Sequence, residues 1–146
     1  MDKLNSYSQM GICFELLAHS DTHKNYSCAS YLDTEICPAN WLSQLRIYFN
    51  DAKIPVAFVT WAEVSQETEK ELIDDSRALY HQDWNAGDNL YFNDFVAPWG
   101  GVRDILKDLT SNIFTDREAF SLSRHSDGKV KKKHRWIGKA FIKKES

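Results

Sequence analysis

The chain has 146 residues, 42% hydrophobic and 13% aromatic, and a formal net charge of −3. That is the size and composition of one globular domain with a packed core, and it excludes a disordered chain or a miniprotein stapled by disulfides or metal. Cys13, Cys28 and Cys37 form no cysteine framework. The first residues lack a basic region followed by an apolar run, and no apolar stretch nears the ~20 residues of a bilayer span, so a cytoplasmic protein with free thiols and no membrane span is expected.

From the N-terminus, residues 7–18 can form a helix with Met10, Phe14 and Leu17 on one face. Ser20-Asp21-Thr22 breaks that pattern, because these side chains compete for backbone hydrogen bonds. A short helical piece over Ala29–Ile36 is expected to end at Pro38. Leu45–Phe49 and Val56–Trp61 read as two strands of a hairpin around Asn50–Lys53. Ser65 is placed to cap a helix with Glu67 and Glu69 in its first turn and an inner stripe of Leu72, Ser76, Leu79 and Tyr80, ending near Gln82.

A turn cluster over Asp83–Asp88 then leads to a strand over Leu90–Val96. Pro98 and Gly100-Gly101 open a further helix whose buried face is Val102, Ile105, Leu106 and Leu109. Extended segments near 118–124 and 134–142 flank a Ser126–Lys129 turn. The order predicts an α+β layered domain with helices on a mostly antiparallel sheet.

Charge is divided unevenly. Residues 124–146 hold nine of the 18 Lys and Arg but only Asp127 and Glu145 as acids, so the rest of the chain is strongly acidic. A basic C-terminal segment on an acidic body suggests an anionic partner met at one place. Lys131-Lys132-Lys133-His134-Arg135-Trp136 has the look of a nucleic-acid patch, but the acidic body argues against nucleic acid. The cysteines and the five histidines show no metal-ligand spacing.

Three blocks carry a specific pattern. Pro55-Val56-Ala57-Phe58-Val59-Thr60-Trp61-Ala62, Asp83-Trp84-Asn85-Ala86-Gly87-Asp88, and Tyr91–Gly100 with its Asn93-Asp94-Phe95-Val96-Ala97-Pro98-Trp99-Gly100 ending occur in order and register. In these the chain resembles the RTX toxin-activating lysine acyltransferases. Ser20 and His23 match that family's Ser and its His three residues later; Asp21-Thr22 between them departs from it, and the C-terminal third is shorter, with little to align beyond Gly128-Lys129-Val130. The resemblance implies a single domain over 1–146 with a GNAT-like acyltransferase fold. It implies transfer of a fatty acyl group from acyl carrier protein, held there as a phosphopantetheine thioester, to lysines of a protein toxin. The family's proposed catalytic pair maps onto His23 and Asp94, and no bound cofactor or metal is implied.

The chemistry agrees with that mapping. A lysine amine, with an ordinary pKa near ~10.4, is a poor nucleophile while protonated. An imidazole such as His23 is the side chain suited to removing its proton, and Asp94 can orient the ring or hold the ammonium. Ser20 would share a helical face with His23 if the turn continued, and can support the ring. Gly100 and Gly101 offer bare N–H groups to a thioester or a phosphate. They do not form the Arg/Gln-x-x-Gly-x-Gly/Ala loop with which GNAT enzymes hold coenzyme A, which fits a protein-bound donor. The basic segment suits an acidic acyl carrier protein.

Relatives of this family also act in siderophore-microcin maturation, attaching a glucosylated siderophore to a C-terminal serine together with a partner subunit. That reading stays open, as does a non-catalytic binding subunit. A homodimer and a hetero-complex with a maturation partner are both compatible with the sequence.

Overall fold

The structure is a computed structural model and describes residues 4–143. Residues 144–146 of the basic segment lie outside the described residues. Helix α1 (Ser6–His19) begins on Asn5, whose side chain accepts the Ser8 N–H. A second helical run consists of α2 (Cys28–Tyr31), a wide π turn (Leu32–Ile36) and α3 (Cys37–Trp41). Strands β1 (Leu45–Phe49), β2 (Pro55–Val64), β3 (Asn89–Val96), β4 (Glu118–Arg124) and β5 (Val130–Ile137) form one sheet in the order β1-β2-β3-β4-β5. Helix α4 (Gln66–Asp74) follows β2 and α5 (Val102–Asp108) follows β3. The α+β layered domain expected from the sequence is the fold observed.

All neighbouring strands are antiparallel except β3 and β4. Those two run parallel and pair only at Leu90 with Ala119 and Tyr91 with Phe120. Beyond these positions they are unpaired, so the half of β3 that carries Asp94 has an edge without a ladder partner on the β4 side. On one face of the sheet, Cys13, Leu16, Leu17 and Ile36 of the helices cover Phe58 and Val96, while Leu72, Leu79 and Trp84 cover Ala62, Val64 and Tyr91. On the other face, Ile105 and Leu109 cover Ala57, Val59, Leu90 and Phe92.

Several expected details change. Phe14 points outward, half exposed, and Cys13 and Leu16 bury instead beside Leu17 and partly buried Met10, because α1 rotates its inner face by about one residue. Pro38 does not end the second helix. The π turn already replaces the i→i−4 pattern there, with the Cys37 N–H reaching Leu32 O, so a residue lacking an N–H is accommodated.

Ser65 does cap α4, accepting the Thr68 N–H, but α4 stops at Asp74 rather than near Gln82. Two acids at its C-terminus oppose the helix dipole, and Ser76 takes a left-handed φ of 54°. Arg77 then turns back to Glu71 and Asp83, and Tyr80 stays exposed under the Arg77 guanidinium. Val102 is 38% exposed and does not join the buried face, whereas Ile105 and Leu109 are buried and Leu106 packs partly buried against their cluster, as expected.

Strand β5 starts at Val130, four residues earlier than expected, so the lysine run lies within an edge strand. Gly87 belongs to its block for a spatial reason: an added Cβ would lie 2.4 Å from Val64 O.

Candidate active site

Helix α1 ends at His19, and Ser20 closes it by donating its N–H to Leu17 O. The next turn folds back on Ser20, whose carbonyl accepts the N–H of both His23 and Lys24. This brings His23 Nδ1 to 2.6 Å from Ser20 Oγ, with Ser20 and His23 only 4% and 9% exposed. Across 71 residues of chain, His23 Nε2 lies 2.9 Å from Asp94 Oδ2. Tyr31 O–H donates to that same oxygen at 2.5 Å. Burial, then the Asp94 charge beside it, holds the Tyr31 hydroxyl well above the ordinary tyrosine range, so it remains a donor.

A bulge aims Asp94. In the β2–β3 ladder Thr60 faces Asp94 and Trp61 faces Phe92, leaving Asn93 as the extra residue. In a regular strand Asn93 and Asp94 would point to opposite faces. Here both point to the side of α1 and α2, whereas Phe92 and Phe95 pack on the side of α5. The helical run supplies the matching pair: Tyr31 and Glu35, four residues apart, reach Asp94 and Asn93 respectively. Asn93 Nδ2 donates to Glu35 Oε2 at 2.6 Å and more weakly to Thr60 Oγ1 at 3.4 Å. This polar seam separates the two apolar clusters on its face of the sheet.

Glu35 is the carboxyl held above its ordinary range. Burial is the main cause that pushes its carboxyl up, to about 7; Asn93 opposes the shift, the Asp94 charge adds to it and Arg124 opposes it. The Arg124 guanidinium spends its N–H groups on the carbonyls of Ser76, Arg77 and Gly128. Around the imidazole, Tyr26 and Tyr31 stand edge-on with ring centroids 5.4 and 5.9 Å away, and exposed Trp99 lies against His19 at 5.5 Å.

With Asp94 ionised, Nε2–H of His23 donates to it and the Ser20 hydroxyl donates to Nδ1. The hydroxyl can equally accept. An imidazolium formed by taking up a proton would therefore find acceptors in place at both nitrogens: Asp94 at Nε2 and Ser20 at Nδ1. The side chain of Asp94 is 25% exposed, so an incoming group can reach the pair.

The residues singled out in the sequence divide as follows. Ser20, His23 and Asp94 come together. Gly100 and Gly101 sit at an exposed turn with φ of 90° and 101°, a conformation that favours glycine, ahead of a helix of seven residues. Tyr31, Glu35 and Asn93 were not singled out. The available signal was Asn93-Asp94 itself, two poor strand formers inside an aromatic strand, which marks a bulge. Among the described residues no group of three or more His, Cys, Asp or Glu is placed to hold a metal ion. Cys13, Cys28 and Cys37 are free thiols, and burial pushes Cys13 up to about 12. No helix among the described residues is long and apolar enough to cross a membrane.

Comparison with known proteins yields a family match. Residues 2–137 fit the model of the RTX toxin acyltransferase family. A leukotoxin-activating lysine-acyltransferase of Aggregatibacter actinomycetemcomitans is 31% identical over 92% of this chain and 80% of its own length. A protein-lysine myristoyltransferase of Kingella kingae is 32% identical over 77% of this chain and 66% of its own length. An uncharacterized protein of Synechocystis is 33% identical over 86% and 85%.

Proposed function

The chain belongs to the RTX toxin acyltransferase family and is an acyltransferase, and on that premise we propose that it transfers a fatty acyl group from acyl carrier protein to the ε-amine of a lysine in a protein toxin. The observation that carries this reading is the network Ser20–His23–Asp94–Tyr31, assembled from three distant segments at a reachable carboxylate. The relatives' names supply the acceptor, a toxin lysine, and in one case the cargo, a myristoyl group.

In this mechanism the acceptor's ammonium docks between Asp94 and Nε2 of His23; in the tautomer whose Nδ1–H donates to Ser20, Nε2 is unprotonated and takes one of its protons as general base. The free amine attacks the thioester carbonyl, the C–N bond forms, the C–S bond breaks, and the nitrogen's second proton passes to the carrier's departing thiolate, leaving the amide and a thiol. The pair holds the proton as imidazolium and aspartate, with Ser20 accepting at Nδ1 and Tyr31 continuing to donate to Asp94. Tyr26 and Tyr31 keep bulk water from the imidazole.

The unpaired edge of β3 on the β4 side suits the extended phosphopantetheine arm, which can add along β3 as a strand would. Gly100 and Gly101 contribute backbone freedom beside Trp99. The exposed Lys131 and Lys132 on edge strand β5 face the acidic carrier.

The test is the intact mass of an RTX toxin incubated with this chain and acyl carrier protein charged with myristate. A myristoyl increment, located by fragmentation on lysine, is the expected result. No increment, or a glycosylated siderophore added to a serine during co-expression with a microcin cluster, would overturn it.

A further inference from the structure

We propose that Glu35 is a positioning residue for acyl transfer, holding Asn93 so that the β3 bulge keeps Asp94 turned toward His23 and Tyr31. The inference rests on the reading of Asp94 and His23 as the reacting pair.

The bulge decides where Asp94 points. If Asn93 slipped back into the ladder, Asp94 would move to the face of Phe92, inside the apolar cluster under α5, and Phe95 would turn out of that cluster. The bonds that keep Asn93 on the polar side are the short one to Glu35 and the long one to Thr60. Glu35 stands four residues from Tyr31 on one helical run, across the π turn, so a single element grips both members of the bulged pair.

A carboxyl in this place is expensive for the fold. The groups facing it are Tyr31 on its own run, Asp94 and Tyr91 on β3, and Arg124 on β4, which is bonded to carbonyls elsewhere. Among the described residues Glu35 makes no ion pair within 4.0 Å, and its raised titration range shows that burial outweighs Arg124. A buried acid that weakens the fold beside a reacting pair fits a function in aiming that pair.

The two variants to compare are Glu35→Leu, which deletes the acceptor for Asn93, and Glu35→Gln, whose amide oxygen can still accept from Asn93. On the acyl-carrier donor and toxin, Glu35→Leu is expected to lower kcat at least 10-fold with KM for the toxin within twofold. Glu35→Gln should recover to within about threefold of the parent. At pH 8, Glu35→Leu should melt no lower than the parent, which separates lost aim from lost folding.

A readout that needs no activity is the proton NMR signal of the His23 Nε2–H held by Asp94. It should be displaced or lost in Glu35→Leu and kept in Glu35→Gln. If the signal stays unchanged in Glu35→Leu, or if Glu35→Gln is as impaired as Glu35→Leu, the positioning role is wrong. If the NMR pattern follows the expectation but the parent acylates no lysine, the assigned reaction fails while the positioning role stands.

Discussion

The two faces of strand β3 are built to opposite rules. On the α5 side, Phe92 and Phe95 meet edge-on at 6.2 Å, and Phe92 lies 5.9 Å from Phe114, inside a cluster closed by Ile105 and Leu109. On the α1 and α2 side, the intervening residues Asn93 and Asp94 are tied by short hydrogen bonds to Glu35, Tyr31 and His23. One face stabilises the fold through buried area. The other places a carboxylate and an imidazole in contact and a second carboxyl close by, at a cost in stability. The bulge at Asn93 lets one strand serve both, since it turns two consecutive side chains to the polar face and thereby brings Phe92 and Phe95, three residues apart, to the same apolar one.

The largest expected effect separates these faces. Asp94→Asn keeps shape and volume but removes the charge that His23 donates to. Toxin-lysine acylation should fall about 10²–10⁴-fold, while the urea midpoint stays close to the parent's. Phe92→Ala is the converse. Phe92 is 1% exposed, and its truncation should cost about 3–5 kcal/mol in urea unfolding, with the rate per folded molecule unchanged. A large activity loss in folded Phe92→Ala would break the division between the faces.

Next in size is the pH dependence of stability set by Glu35. Its carboxyl is raised from 4.5 to about 7 in the fold. Between those values the folded state keeps a proton that the unfolded chain has released, so the group's contribution is full below 4.5 and is lost as pH rises through 7. At ~1.4 kcal/mol per unit the decline is at most about 3.5 kcal/mol. Urea unfolding across pH 4–8 should show it in the parent and not in Glu35→Gln. The smallest effect is Ser65→Ala, which removes the α4 cap on the same face as the site but away from it. It should cost about 1 kcal/mol in thermal unfolding and leave acylation unaltered.

Local signals made much of this legible in the sequence. The hairpin of β1 and β2, the Ser65 cap, the Asp83–Asp88 turn and β3 all follow from residue preferences within a few positions. His23 and Asp94 were found through motif blocks, since nothing local links a residue after α1 to one on β3. What the sequence hid depends on contacts across the chain. The end of α4 at Asp74 is set by Arg77 turning back to Glu71 and Asp83. The passage of the helix through Pro38 depends on a π turn, which periodicity does not announce. Tyr31 and Glu35 look like ordinary helix residues until the bulge brings Asp94 and Asn93 beneath them.

The central claim is that His23 and Asp94 act as one unit on the acceptor lysine. The most direct test is a double-mutant cycle, with the rate of toxin-lysine acylation measured for His23→Ala, Asp94→Asn and the two combined at equal folded fraction. Members of a unit are non-additive, so the double variant should be about as slow as the slower single one. If the two losses multiply, the residues act independently and the account of the site is contradicted.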